Sequence, residues 1–88
     1  MNADVAVEHR ILEMIAELSA VRPAEIRVDD RLREDLGLDS VASMELLSLL
    51  AAELHLDIEV EDALQVTTVG QTLAMARRYL GARAAQVS

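Results

Sequence analysis

In a chain without cysteine, Ser40 is the side chain best placed for covalent chemistry. It stands in the run Leu36-Gly37-Leu38-Asp39-Ser40-Val41. Gly37 lets the backbone turn sharply, Asp39 can cap the free N–H groups of a helix beyond it, and Ser40 falls in that helix's first turn. A hydroxyl exposed there is reachable by a second enzyme. A phosphate attached to it would meet the positive end of the helix and its unpaired N–H groups. Taken alone, Asp-Ser before an apolar run is an ordinary capping pair. Two other chemistries compete. Ser40 could be a nucleophile with His9 or His55 as base, but a triad also needs a shaped pocket and oxyanion donors. With 88 residues, three glycines, no Trp and no Phe, the chain has little from which to build them. Asp57, Glu59, Glu61 and Asp62 could attract a cation, yet they lack the Asp-rich loop with a central glycine of a calcium hand. Only weak screening by divalent ions is expected there, and no metal site. Both histidines are expected on the surface, His55 at the end of a helix.

The elements that position Ser40 follow from apolar spacing. Val7, Ile11, Met14, Ile15 and Leu18 repeat as one helical stripe, which predicts a first helix over 4–19 with Asp4 as its N-cap. A long connection over 20–39 follows, holding Pro23 and Gly37, with Ile26, Val28, Leu32, Leu36 and Leu38 as anchors and a helical turn at 32–36. The second helix is predicted from 39–40 to 54. Leu46, Leu47, Leu50 and Leu54 form its core side, and Val41, Met44, Glu45, Ser48 and Ala52 the opposite side. A short acidic helix is expected near 60–64. A last helix begins after Thr68, with Val69, Leu73, Ala76 and Leu80 inward and Arg77, Arg78 and Arg83 complementing its C-terminal dipole. The fold class is therefore all-α: a small four-helix bundle of three longer helices and one short one, with a long loop between helices one and two. One domain spans 1–88, its core about 5–80, with 82–88 as a frayed tail.

Composition agrees and narrows the function. Fourteen Leu and fourteen Ala favour helix, and 52% apolar residues exclude a disordered chain. A formal charge of −8 argues against nucleic acid and anionic membranes as partners. Apolar runs of four residues at most cannot span a bilayer, and Asp4 stands where a secretion signal would be positive. A cytoplasmic location and a monomer are expected. Between 34 and 76 lie nine carboxylates and no Arg or Lys, either a solvated acidic face or a docking surface for basic partners.

The run around Ser40 resembles the attachment motif of acyl carrier proteins: an acidic residue, Leu, Gly, one variable residue, then Asp-Ser-Leu. Here it reads Asp35-Leu36-Gly37-Leu38-Asp39-Ser40-Val41, with Glu45 four residues beyond the third motif position. Leu54 occupies a core position often filled by Phe, and Ile58, Glu61-Asp62 and Val66-Thr67-Thr68-Val69 match further on, so the resemblance covers about 5–80. It implies that Ser40, beside Asp39, carries covalent 4′-phosphopantetheine transferred from coenzyme A by a phosphopantetheinyl transferase. The protein would itself be no enzyme. Acyl groups would ride as thioesters on the arm's thiol. Recognition would use Asp35, Val41, Met44, Glu45, Ser48, Glu61 and Asp62, met by basic surfaces on ketosynthase, acyltransferase or acyl ligase type enzymes.

Departures shape the pathway expected. Ala51 and Ala52 stand where fatty-acid synthase carriers usually continue with carboxylates, Glu59 follows Ile58 where Pro is common, and Val41 replaces the usual Leu. Polyketide or other natural-product assembly is thus at least as well matched as fatty-acid synthesis. Peptide-synthetase carriers usually have a Gly-Gly-x-Ser-type site, so Leu38-Asp39-Ser40 favours an acyl over an aminoacyl or peptidyl carrier. An acidic, unmodified helical interaction domain is the rival from another class. The chain reads as freestanding.

Overall fold

The computed structural model describes residues 3–87, with side chains over 5–83. Helix α1 spans Ala3–Ser19, α2 Ser40–Leu54, α3 Val60–Leu64 and α4 Val69–Val87, with a 3-10 turn at Pro23–Glu25. Among the described residues there is no strand, only an isolated antiparallel bridge between Arg31 and Thr68. The all-α bundle with a long loop after α1 is thus the observed architecture.

Its core is built by the stripes that the sequence spacing marks. Ile11, Met14 and Ile15 of α1 meet Leu46 and Leu50 of α2 and Val69, Leu73 and Ala76 of α4. Leu32, Leu36 and Leu38 of the loop complete it, while Val7, Leu18, Ile26 and Leu54 pack half-buried around it. A loop that buries three leucines is anchored by the same effect that holds the helices. No regular helix forms at 32–36, but the expected helical turn does, the Asp35 N–H donating to the Arg31 carbonyl four residues back at 3.0 Å. The Gly37 N–H donates to the Arg33 carbonyl (3.1 Å) and the Leu38 N–H to the Leu32 carbonyl (2.8 Å). Gly37 closes it at φ +73°, a conformation that glycine adopts without steric cost.

Several expectations change. Asp4, expected as the N-cap of α1, is the second residue of that helix, and its side chain lies outside the described residues. Val28 is exposed and anchors the loop through its backbone instead: its carbonyl accepts from the Gly70 N–H at 2.9 Å. A Cβ on Gly70 would come within 2.7 Å of Val28 Cγ1, so the close approach requires glycine. Asp30 accepts from the Val69 N–H (3.0 Å) and the Leu32 N–H donates to the Thr67 carbonyl (2.9 Å). These three bonds tie the long connection to the start of α4. Thr68 caps α4 as expected, its Oγ1 accepting from the Gln71 N–H at 3.1 Å. Thr72, buried though polar, donates its hydroxyl to the Thr68 carbonyl at 3.0 Å.

The arginines of α4 do not serve its own C-terminus, because the helix runs on to Val87. Arg77 pairs with Glu8 at 3.2 Å and Arg78 with Asp62 at 3.3 Å. Arg83 reaches the end of α2, donating to the Leu54 carbonyl at 2.8 Å and the His55 carbonyl at 3.3 Å. His55 ends α2 in the left-handed region at φ 54° and is exposed, as is His9. A cation on the last carbonyls of a helix stabilises it by about 0.3–1 kcal/mol. Arg83→Ala should therefore lower stability by about that amount in a urea titration. An unchanged midpoint would show that solvent serves those carbonyls equally well.

Candidate functional site

Asp39 and Ser40 occupy the positions that their chemistry requires. Asp39, extended at φ −76° and ψ −174°, precedes the helix, and its Oδ1 accepts from the Ala42 N–H at 2.8 Å. A cap of this kind contributes about 1 kcal/mol. Its carbonyl takes the Ser43 N–H at 2.9 Å, the first backbone bond of α2. Among the described residues the N–H groups of Ser40 and Val41 have no partner, which leaves the helix tip open to an anion. Ser40 is exposed, and its hydroxyl makes no hydrogen bond to a described residue.

Ser40 also stands on the wall of a groove of about 380 Å³ between α2, the preceding loop and α3. Leu32, Leu38, Met44, Leu47, Leu64 and Val66 give it an apolar lining, and Arg33, Glu34 and Asp39 join Ser40 among its polar groups. The groove is absent from any sequence pattern, because it arises where residues of α3 and of α2, distant in the chain, come to line one space. A residue such as Leu64, 70% exposed, reads in sequence as ordinary amphipathic filling.

The predicted recognition residues divide into two groups. Val41, Met44, Glu45 and Ser48 lie exposed on α2 and Glu61 exposed on α3. Val41 is 76% exposed, and no ion pair holds Glu45 or Glu61 among the described residues. Asp35 and Asp62 are engaged within the fold. The Asp35 Oδ2 accepts from the Arg31 N–H at 2.7 Å and from its Nε at 3.3 Å. Those bonds, the backbone one first, hold its carboxyl below the usual range. Asp62 accepts from the Tyr79 hydroxyl and pairs with Arg78. Glu53, also within the stretch free of Arg and Lys, is held by Arg10. The acidic stretch is therefore partly neutralised by bases from outside it. Its free carboxylates include Glu45 and Glu61.

Among the described residues no cluster of three or more His, Asp or Glu is arranged to hold a metal ion. No helix there is long and apolar enough to cross a membrane. His9 and His55 lie on α1 and just beyond α2's C-terminus, far in the chain from the N-terminal turn that carries Ser40. The family described as a phosphopantetheine attachment site matches residues 9–76, well over half of the chain, and the protein belongs to that family. It is thus a non-catalytic carrier bearing covalent 4′-phosphopantetheine. The residues present fit that group: an unbonded hydroxyl, an open helix tip for its phosphate and an apolar groove alongside. When attached, the arm supplies a thiol that holds cargo as a thioester, which explains a carrier without cysteine. Carriers of this family meet a phosphopantetheinyl transferase and biosynthetic enzymes.

Proposed function

We propose that Ser40 bears the arm and that the protein is an acyl carrier, handing acyl intermediates between enzymes of polyketide, other natural-product or fatty-acid biosynthesis. The observation that carries this is the exposed Ser40 hydroxyl at the open N-terminus of α2, on the lip of an aliphatic groove. In modification the Ser40 hydroxyl, losing its proton to a base of the transferase, attacks the pantetheine-side phosphorus of coenzyme A's pyrophosphate. The P–O bond between the two phosphorus atoms breaks and adenosine 3′,5′-bisphosphate leaves, its charge met by the transferase's Mg²⁺. The free N–H groups of Ser40 and Val41 favour the phosphate charge that results. Leucine and valine side chains along the groove suit an alkyl chain better than a charged aminoacyl group, which supports acyl over peptidyl cargo.

Incubation with coenzyme A, Mg²⁺ and a promiscuous transferase should add one phosphopantetheine to the intact mass, with fragmentation placing it on Ser40. A polypeptide left unlabelled by several competent transferases would overturn the assignment.

Ketosynthase, acyltransferase or acyl ligase type partners would dock through basic side chains on the free carboxylates and the exposed Val41 and Met44. Rim charges act mainly on encounter rate and are individually weak. Glu45→Arg, at an exposed position with no ion pair to lose, should cut kcat/KM for modification by roughly 3–10-fold with the circular dichroism unchanged. Equal rates with every basic partner tested would remove Glu45 from the docking surface.

A further inference from the structure

We infer that Tyr79 is a positioning residue that latches α3 shut as a wall of the Ser40 groove, and thereby sets how well the groove retains cargo. The inference rests on the acyl-carrier proposal for its second half only.

Helix α3 is five residues long and contributes no buried residue. Val60 and Leu64 are 61% and 70% exposed, so burial of apolar surface does little to hold it. Its N-cap residue, Glu59, makes no side-chain capping bond. An isolated helix this short does not persist in water, so something outside it must fix it.

That fixture comes from α4. The Tyr79 hydroxyl donates to the Asp62 carboxylate within α3 and accepts from the Glu59 N–H at its start, at 3.0 Å. One side chain therefore supplies both a missing N-terminal acceptor and a grip on the helix body. Arg78 reinforces it, pairing with the same Asp62 oxygen at 3.3 Å while its guanidinium stands 5.7 Å from the Tyr79 ring centre. The hydrogen bond to Asp62, foremost among its surroundings, raises the pKa of the Tyr79 hydroxyl and keeps it a donor. Beyond α3 the chain is fixed separately: Gln71 Oε1 accepts from the Thr67 N–H at 2.7 Å and the Thr68 N–H at 3.2 Å.

The latch bears on the site because Ala63, Leu64 and Val66 form the groove wall that faces Ser43, Met44 and Leu47 of α2. Displacing α3 removes that wall and lets water reach whatever lies against it. A short chain that stays outside the groove is unaffected. A longer one depends on the latch.

Hydrogen exchange on the unmodified protein tests the latch without any cargo. Tyr79→Phe should speed exchange of the amides over 60–66 by at least ~10-fold while those of α1 and α2 stay as they were. Asp62→Ala should act likewise, whereas Asp62→Asn, which keeps an acceptor for the hydroxyl, should stay near the wild type. No change over 60–66 in Phe and Ala variants, or an equal rise throughout the chain, would overturn the latch. The protein is then modified, confirmed by mass, and loaded with octanoyl or acetyl groups. Tyr79→Phe should speed hydroxylamine cleavage of the octanoyl thioester by roughly 3–10-fold and leave the acetyl thioester alone. Equal acceleration of both, or of neither, would overturn the groove-wall role. Should wild-type octanoyl react as fast as acetyl, the acyl-groove proposal fails, and exchange alone decides the latch.

Discussion

Ser40→Ala is expected to end modification completely and to leave the fold as it was. A phosphodiester at the proposed position needs an oxygen nucleophile there, and alanine offers none. Ser43 lies one helical turn later and Ser48 farther along α2, so neither hydroxyl shares the open helix tip. The expected readout is therefore all or nothing: one added phosphopantetheine for the wild type and no added mass for the variant after the same incubation. Stability should change by less than about 0.5 kcal/mol, because the side chain is exposed and makes no bond that folding depends on. Any labelling of the alanine variant would move the attachment point to another residue. A large loss of stability would mean that the hydroxyl serves the fold.

Leu50→Ala is expected to have the largest effect on stability. Leu50 is fully buried in the C-terminal half of α2, in the core that joins Ile11, Met14 and Ile15 to Val69, Leu73 and Ala76. Truncating a leucine in such a place costs about 2–5 kcal/mol, from lost transfer free energy and from the cavity left behind. A chain of this size has roughly 4–13 kcal/mol in total, so the loss is a large share. The thermal midpoint should fall by on the order of 15 °C, with Val41→Ala as the exposed control on the same helix. A midpoint within a few degrees of wild type would show that the bundle collapses around the gap. The two substitutions separate the faces of α2: one removes chemistry and spares the fold, the other does the reverse.

Much of this was legible in the sequence because the strongest signals are local. The stripe of Ile11, Met14 and Ile15, the Leu46 and Leu50 pair and the Asp39 cap each depend on spacing within one element, and each stands where its spacing puts it. The short helix at Val60–Leu64 was marked by its own acidic start. What escaped depends on neighbours distant in the chain. Arg83 was expected to serve its own helix, but α4 continues past it and its guanidinium finds the end of α2. Thr72 carries no sequence mark of its burial, which rests on the carbonyl one turn earlier satisfying its hydroxyl. Val28 looks like a hydrophobic anchor, although its backbone makes the attachment and its side chain stays out. Around Ser40 the serine, its cap and the exposed α2 residues could be named in advance. The groove and the engagement of Asp62 by Tyr79 could not, since both arise only when α3 is laid between α2 and α4.

The tie between the long connection and α4 also bears on survival against proteases. Three arginines, Arg27, Arg31 and Arg33, give this connection tryptic sites, whereas Arg22 is shielded by the proline that follows it. Cleavage requires a peptide bond to leave its hydrogen bonds and stretch through an enzyme cleft. Here the backbone at 28, 30 and 32 is bonded to residues 67, 69 and 70, and the Arg27 N–H is bonded to the Asp30 carboxylate. Scission near Arg31 thus demands local unfolding that pulls on the first turn of another helix, so an exposed connection is guarded by a segment more than thirty residues away.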